Sequence, residues 1–214
     1  MVAHARTIAF EGIETIAVSV QVQTVAGLPS VTIVGLPDKA VGESKERVRS
    51  AIHALGLSMP AKRIIVNLSP ADLAKEGSHF DLPIAIGVLI SMGVLPQEEL
   101  EGYIALGELS LDGAILPVAG VLPAAMHALA EERGLICPES CGSEAAWSGL
   151  DSVVAPPSLM ALINHFKGTQ LLGAPACESE NDNLRVTDLR EIRGQQTARR
   201  ALEVAAAGGH NLLM

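Results

Sequence analysis

The stretch "KEGSHFD" (75–81) sets an amine, a hydroxyl, an imidazole and two carboxylates close together. A serine beside a lysine suits nucleophilic catalysis, the amine accepting the hydroxyl proton. A histidine beside an aspartate, here His79 and Asp81, suits an oriented general base. A structural reading competes with this. Asp81 directly precedes "LPIAI", which makes it the natural N-cap of a buried helix, with His79 a solvated side chain. Asp72 in "SPADLAKEG" carries the same ambiguity. Cys137 and Cys141 form a C-x3-C pair in "ICPESC". Zinc needs a further Cys/His pair at ligand spacing, and the six histidines are scattered, so buried or idle thiols are expected and no metal centre.

Cations make the other candidate. Lys39, Lys45, Arg47 and Arg49 fall in or beside a helical pattern at 38–55, and Lys62 and Arg63 open the strand-like run after it. Such side chains contact phosphates without reading bases. The alternative is a solvated face balanced by Glu43 and Glu46, with Glu43–Arg47 as an i,i+4 pair. Aromatic residues make up 2% of the chain, too few to supply stacking platforms for bases, and this favours the solvated face.

The elements that must position these groups follow from periodicity. "TIAVSVQVQTV" (15–25) alternates over Ile16, Val18, Val20 and Val22 and predicts a half-buried strand. "SVTIVG" (30–35) follows across a Gly-Leu-Pro turn, so a hairpin between the two is expected. In the next segment Val41, Val48, Ile52 and Leu55 share one helical face, with Asp38 as N-cap and Gly56 as stop. "KRIIVNLSP" (62–70) predicts a buried strand, and 81–93, apolar all round, a central helix. Residues 103–118 read as two strands joined at Asp112-Gly113, and 120–134 as a helix closed by Gly134. Short strands at "LICP" and "DSVVAPP" and an amphipathic helix at 158–168 complete a first domain, 1–167. Period is lost over "GTQLLGAPACESENDN", a linker placed at 168–184. It returns after 185 in a turn and a helix at about 195–207.

The totals narrow the class. With 214 residues, 49% of them hydrophobic, the chain can bury a core built from Ala, Val, Ile and Leu. The richest apolar run, 81–93, is too short to span a bilayer, and the opening residues lack a signal-peptide pattern. Three cysteines suit a reducing compartment, so a cytoplasmic protein without a membrane partner is expected. A net charge of −9 argues against nonspecific nucleic-acid binding by the whole chain while leaving room for a local basic face.

"VGLPDKAVGESKERVRSAI", "PAKRIIVNLSPADLAKEGSHFDLPIAIGVL" and "LGELSLDGAILPVAGVLPAA" together resemble the N-terminal domain of the magnesium-chelatase-like AAA+ ATPases, the group of ComM and YifB. The likeness covers nearly all of 5–167 and continues through "DLREIRGQQTARRALEVAAAGGHNLLM". It implies an α/β (α+β) fold like ribosomal protein S5 domain 2, shared with Lon proteolytic domains and the RadA C-terminal domain. After the linker it implies the first helix and strand of an AAA+ domain, at 185–214.

For the whole family the resemblance implies a hexameric, ATP- and magnesium-dependent motor acting on DNA, with branch migration in natural transformation. Ile192, Gly194 and Gln195 match its adenine-side motif. The phosphate loop that should follow a strand like "HNLLM" needs glycines, a lysine and a Ser/Thr. Residues 1–214 hold no such loop, so no ATP binding by this chain alone is expected. The Lon Ser–Lys dyad is not matched either. Ser78 falls short of the nucleophile position, and Leu122 stands where the lysine should be. The expectation is a non-catalytic module for assembly and substrate guidance, with copies of itself and DNA as partners. Two alternatives stay open: an active peptidase using Ser78 with Lys62 or Lys75, and a pure protein-interaction module.

Overall fold

Val18, Val20 and Val22 alternate with Ser19 and Gln21, and all three valines are buried in a long strand, β2 (Glu14–Val25). The computed structural model describes residues 2–177 and 188–213, in two units, Met1–Glu178 and Ser179–Met214. In the first unit β2 pairs antiparallel with β1 (Val2–Glu11), register Val2↔Gln23 to Glu11↔Glu14. Gly12, at φ +64, lies in the turn between them, a conformation glycine adopts without strain. The inward positions of β1 are Ala3, Ala5, Thr7 and Ala9. Their small side chains make a weak alternation, which is why periodicity does not reveal this strand.

The expected hairpin between β2 and β3 (Ser30–Val34) is not formed. The sheet order is β1-β2-β4-β3, with β4 (Arg63–Ser69) antiparallel to β2 and parallel to β3. Ile64, Val66 and Leu68 are almost fully buried, so β4 takes a central place, while the half-buried residues of β3 suit an edge. Parallel neighbours need a crossover, supplied by α1 (Lys39–Ala54). Its N-cap is Asp38, as expected, which accepts from the Val41 amide at 2.7 Å. Val41, Val48 and Ile52 form its buried face.

Helix α2 (Asp81–Ser91) is buried from Asp81 through Ile90 and packs on β1 and β2. The approach is close: a Cβ on Gly87 would lie 2.7 Å from Val22 Cγ2. After α3 (Gln97–Leu100) the stretch 103–118 forms three strands rather than two. β5 (Tyr103–Ala105) joins β8 (Gly134–Ile136) and β9 (Val153–Val154) in a parallel sheet, order β5-β8-β9. Only β6 (Glu108–Leu109) and β7 (Ile115–Leu116) pair around Asp112-Gly113.

Helix α4 (Val121–Ala130) stops before Gly134, which opens β8 instead of closing the helix. There a Cβ would stand 2.4 Å from the Tyr103 ring. α5 (Gly142–Ala146) and α6 (Leu159–Phe166) follow, the latter capped by Ser158. A main core lies between α2 and the four-stranded sheet; a second gathers Ile8, Ile104, Val121, Leu135 and Cys137. The architecture is thus mixed α/β. From Thr169 to Cys177 the chain carries no helix or strand, and the rest of the expected linker, 178–184, lies outside the described residues.

The second unit holds a 3-10 turn, Leu189–Glu191, and α7 (Gln196–Gly208). His210–Leu213, expected as a strand, has no regular structure. Backbone groups of a strand need a ladder partner, and the described residues of this unit provide no other strand.

Candidate functional site

One helix carries two arginines with opposite fates. Arg47 lies three residues beyond Ser44 and four before Ala51, both fully buried, and so flanks the inward stripe of α1. Its Nε donates to Asp81 Oδ2 at 2.6 Å and its Nη2 to Asp81 Oδ1 at 3.0 Å. Nη2 also reaches the Ala40 carbonyl at 3.1 Å. The hydrogen bond to Asp81 raises the Arg47 pKa further. This bidentate pair withdraws Arg47 from the exposed cations and corrects the expected role of Asp81. Phe80 occupies the N-cap position of α2, while the fully buried Asp81 carboxylate ties α1 to α2 and accepts from the Leu109 amide of β6 at 3.2 Å. Nor does Glu43 pair with Arg47; its partner is Lys39, at 3.8 Å and well exposed.

Arg49 points the other way. With Lys45, one turn earlier on α1, it lines an open groove of about 460 Å³. The opposite wall is Pro29, Ser30 and Val31 at the start of β3, and the floor is Met59 to Lys62 with Ile64. Lys45, Arg49 and Lys62 thus converge, opposed within the groove by Glu46 alone. None of the three has an ion-pair partner among the described residues. A neighbouring hollow along α1 shares Glu46, Arg49 and Met59 with the groove and adds His53. Arg63 is exposed on the next residue of β4, and Lys39 lies outside the groove. Of the six candidate cations the fold therefore collects three, keeps Arg63 beside them, and sets Lys39 and Arg47 apart.

The groups of "KEGSHFD" are engaged separately. Lys75 is fully buried, its Nζ donating to the carbonyls of Leu73, at 2.7 Å, and Pro70. Burial pushes its pKa down, against the pull of Asp72. Ser78 Oγ donates to Glu108. His79, expected in solvent, is buried instead. Its Nε2 lies 3.0 Å from the Ile8 carbonyl, and its ring packs against Phe10 and Phe80 at 5.4 and 4.2 Å. Desolvation lowers its pKa. Leu122 is half-buried on α4, its amide donating to Glu144 at 3.0 Å. A dyad needs a hydroxyl and an amine in mutual reach, and here each is spent on another partner.

Cys137 and Cys141 are buried in the second core, where burial first and Cys141 next push the Cys137 thiol up to about 12. Among the described residues no group of His, Cys, Asp and Glu is arranged to hold a metal ion, and no helix is long and apolar enough to cross a membrane. Ile192, Gly194 and Gln195 sit together in the exposed turn ahead of α7, where Gln195 and Gly194 have positive φ. The Ile192 carbonyl accepts from Arg199 at 3.4 Å.

Comparison with known proteins adds an independent view. Residues 20–141 match the family model described as "Subunit ChlI of Mg-chelatase", and residues 188–214 match "Magnesium chelatase, subunit ChlI". The chain is 39% identical to competence protein ComM of Haemophilus influenzae over 209 residues, 94% of this chain and 41% of that protein. It is 37% identical over 203 residues to the uncharacterized protein YifB of Salmonella typhimurium, and equally to YifB of Escherichia coli, in each case 95% of this chain and 40% of the relative. The chain thus spans about two fifths of the length of the curated relatives it matches.

Proposed function

Because this chain belongs to the ChlI family of magnesium-chelatase subunits, as the N-terminal part of a ComM/YifB-like protein, we propose that it is a non-catalytic module that guides DNA and supports assembly of an ATP-driven motor. The observation that carries this reading is the groove in which Lys45, Arg49 and Lys62 converge. Cations held on a helix and a strand end, without ion-pair partners among the described residues, suit the sequence-independent binding of phosphates. The S5 domain 2-like fold, a hexameric ring of copies and a cytoplasmic setting belong to the same proposal. ATP and magnesium would enter with a phosphate loop outside residues 1–214; Ile192, Gly194 and Gln195 would supply part of the adenine side. The peptidase alternative is disfavoured by the separate engagement of Lys75 and Ser78 and by the place of Lys62 in a groove that Ser78 does not line.

The test is fluorescence anisotropy of labelled single-stranded and forked DNA across a salt series. The wild-type chain should bind at low salt, and Lys45→Ala, Arg49→Ala and Lys62→Ala combined should lower the salt slope by about 2 on single strands. Absence of salt-dependent binding by the wild type would refute the reading, as would a triple variant that binds equally well.

A further inference from the structure

The four-stranded sheet packs only one of its faces on α2. Inward residues such as Ala5, Val20 and Leu68 are buried, whereas their neighbours on the strands point away from that core. Cross-strand register aligns the outward residues in rows: Arg6, Ser19 and Ser69 in one, His4, Gln21 and Asn67 in the next. An Asn67 Nδ2 to Gln21 Oε1 bond of 3.1 Å fixes the centre of the second row. Arg63 lies further along β4, directly after Lys62 of the groove. At the hairpin end this face is covered by α4, through Thr15 and His127 2.9 Å apart, and by β5, whose Ile104 shares the second core with the fully buried Ile8. Beyond them His4, Arg6 and Gln23 are exposed and Ser19, Gln21, Asn67 and Ser69 half-buried.

Charge on the open part is one-sided. Acidic residues outnumber lysine and arginine in the chain by 24 to 15. Yet no outward strand position in this part is Asp or Glu, and its charged residues are Arg6 and Arg63. The carboxylate at its rim, Glu131, closes a small hollow with Arg6, Ser19 and Ser69 and is already paired with Arg133 at 3.1 Å.

We propose that this open sheet face binds single-stranded nucleic acid, laid obliquely over the strands from Arg63 of β4 to Arg6 of β1. The proposal rests on the reading of the groove as a phosphate site: the groove opens on the α1 side of the sheet and Arg63 points to the other, and the two meet at the start of β4, where Arg63 directly follows Lys62. Arg6 stands level with Ser69 of β4, two strands away and six residues from Arg63, so the two positions lie about 10 Å apart across the sheet and about 20 Å along it, a platform that accepts a short extended strand. The two guanidiniums take phosphates, while the amides and hydroxyls offer donors and acceptors to phosphates or bases alike. The aromatic rings at outward strand positions are the exposed His4 imidazole and, at the covered hairpin end, Phe10, so stacking adds little and binding is salt-sensitive and tolerant of sequence. A second copy of the chain fits less well: it would set arginine against arginine with few apolar groups to bury.

The experiment titrates the full chain against labelled oligo-dT and oligo-rU of about 15 nucleotides, sized for one binding platform. The two arms separate deoxyribose from ribose strands, and a duplex of equal charge is the comparison. Arg6→Ala with Arg63→Ala should weaken single-strand binding about ten-fold and lower the salt slope by about 1.4. Gln21→Glu, nearly isosteric, should weaken it by placing a carboxylate on the face. Circular dichroism melting should show all variants folded. If these variants bind normally while the Lys45/Arg49/Lys62 variant does not, the sheet-face proposal falls and the groove reading stands. If the wild type binds no oligonucleotide, the groove reading itself fails. Preference for the duplex, or equal displacement by poly-glutamate, overturns the single-strand assignment.

Discussion

Replacing Arg47 by alanine should destabilise the first unit by about 3 kcal/mol and leave oligonucleotide affinity unchanged. Asp81 is fully buried, and its remaining partner would be the Leu109 amide. Breaking a buried ion pair by removing one side typically costs about 3–5 kcal/mol, because a desolvated charge is left behind. The Arg47 side chain is 22% exposed, so water can enter the vacated space, which selects the lower end. For a domain of this size each kcal/mol shifts the midpoint by about 2–4 °C, giving a fall of about 6–12 °C. Urea denaturation is the assay: the midpoint should drop with the m-value unchanged. Arg47→Met with Asp81→Leu, which removes both charges and keeps the volume, should recover most of the loss. A loss below about 1 kcal/mol for Arg47→Ala would refute the argument. So would a fall in DNA affinity with stability intact, since Arg47 would then belong with the exposed cations.

Two further outcomes are expected. Burial lowers the His79 pKa below its ordinary value, so the unfolded chain binds a proton more readily than the folded one. Stability should therefore fall as pH drops through about 6.5 and level off below the folded value, and His79→Gln should flatten that acid limb in melting curves. Cys177 is exposed, whereas Cys137, raised to about 12, and Cys141 are buried. At pH 8 one thiol should react quickly with a disulfide reagent and Cys177→Ser should abolish that phase; rapid labelling of the native Cys177→Ser protein would contradict the burial argument.

Helix α1 was legible because its signals are local: a capping aspartate and an apolar stripe read directly from spacing. β4 was legible for a similar reason, as a short apolar run. The β3–β4 pairing was not, because a parallel pair is joined by a whole helix and nothing in "SVTIV" names its neighbour. β1 escaped notice because alanine fills its inward positions, and alanine suits a helix as well as a close-packed sheet. "YIALGELSLDGAILPV" was divided wrongly because β5 answers to β8, 31 residues on, and not to the turn beside it.

The site shows the same division. Arg47 and Arg49 are two positions apart and chemically alike, so a count of basic residues treats them as one patch. A two-residue step turns a helix by about 200°, and this sends one guanidinium inward and the other out. What holds Arg47 inward is Asp81, 34 residues away, which local pattern assigns to a cap. The usable positive surface is therefore smaller than the composition suggests and better ordered. Arg49 and Lys45 share a helix face, Lys62 meets them from the strand end, and Arg63 leads onto a sheet face without carboxylates. In a chain of net charge −9 such segregation would, on the proposed reading, leave a local attraction for phosphate that the average conceals, with acidic residues elsewhere opposing indiscriminate binding.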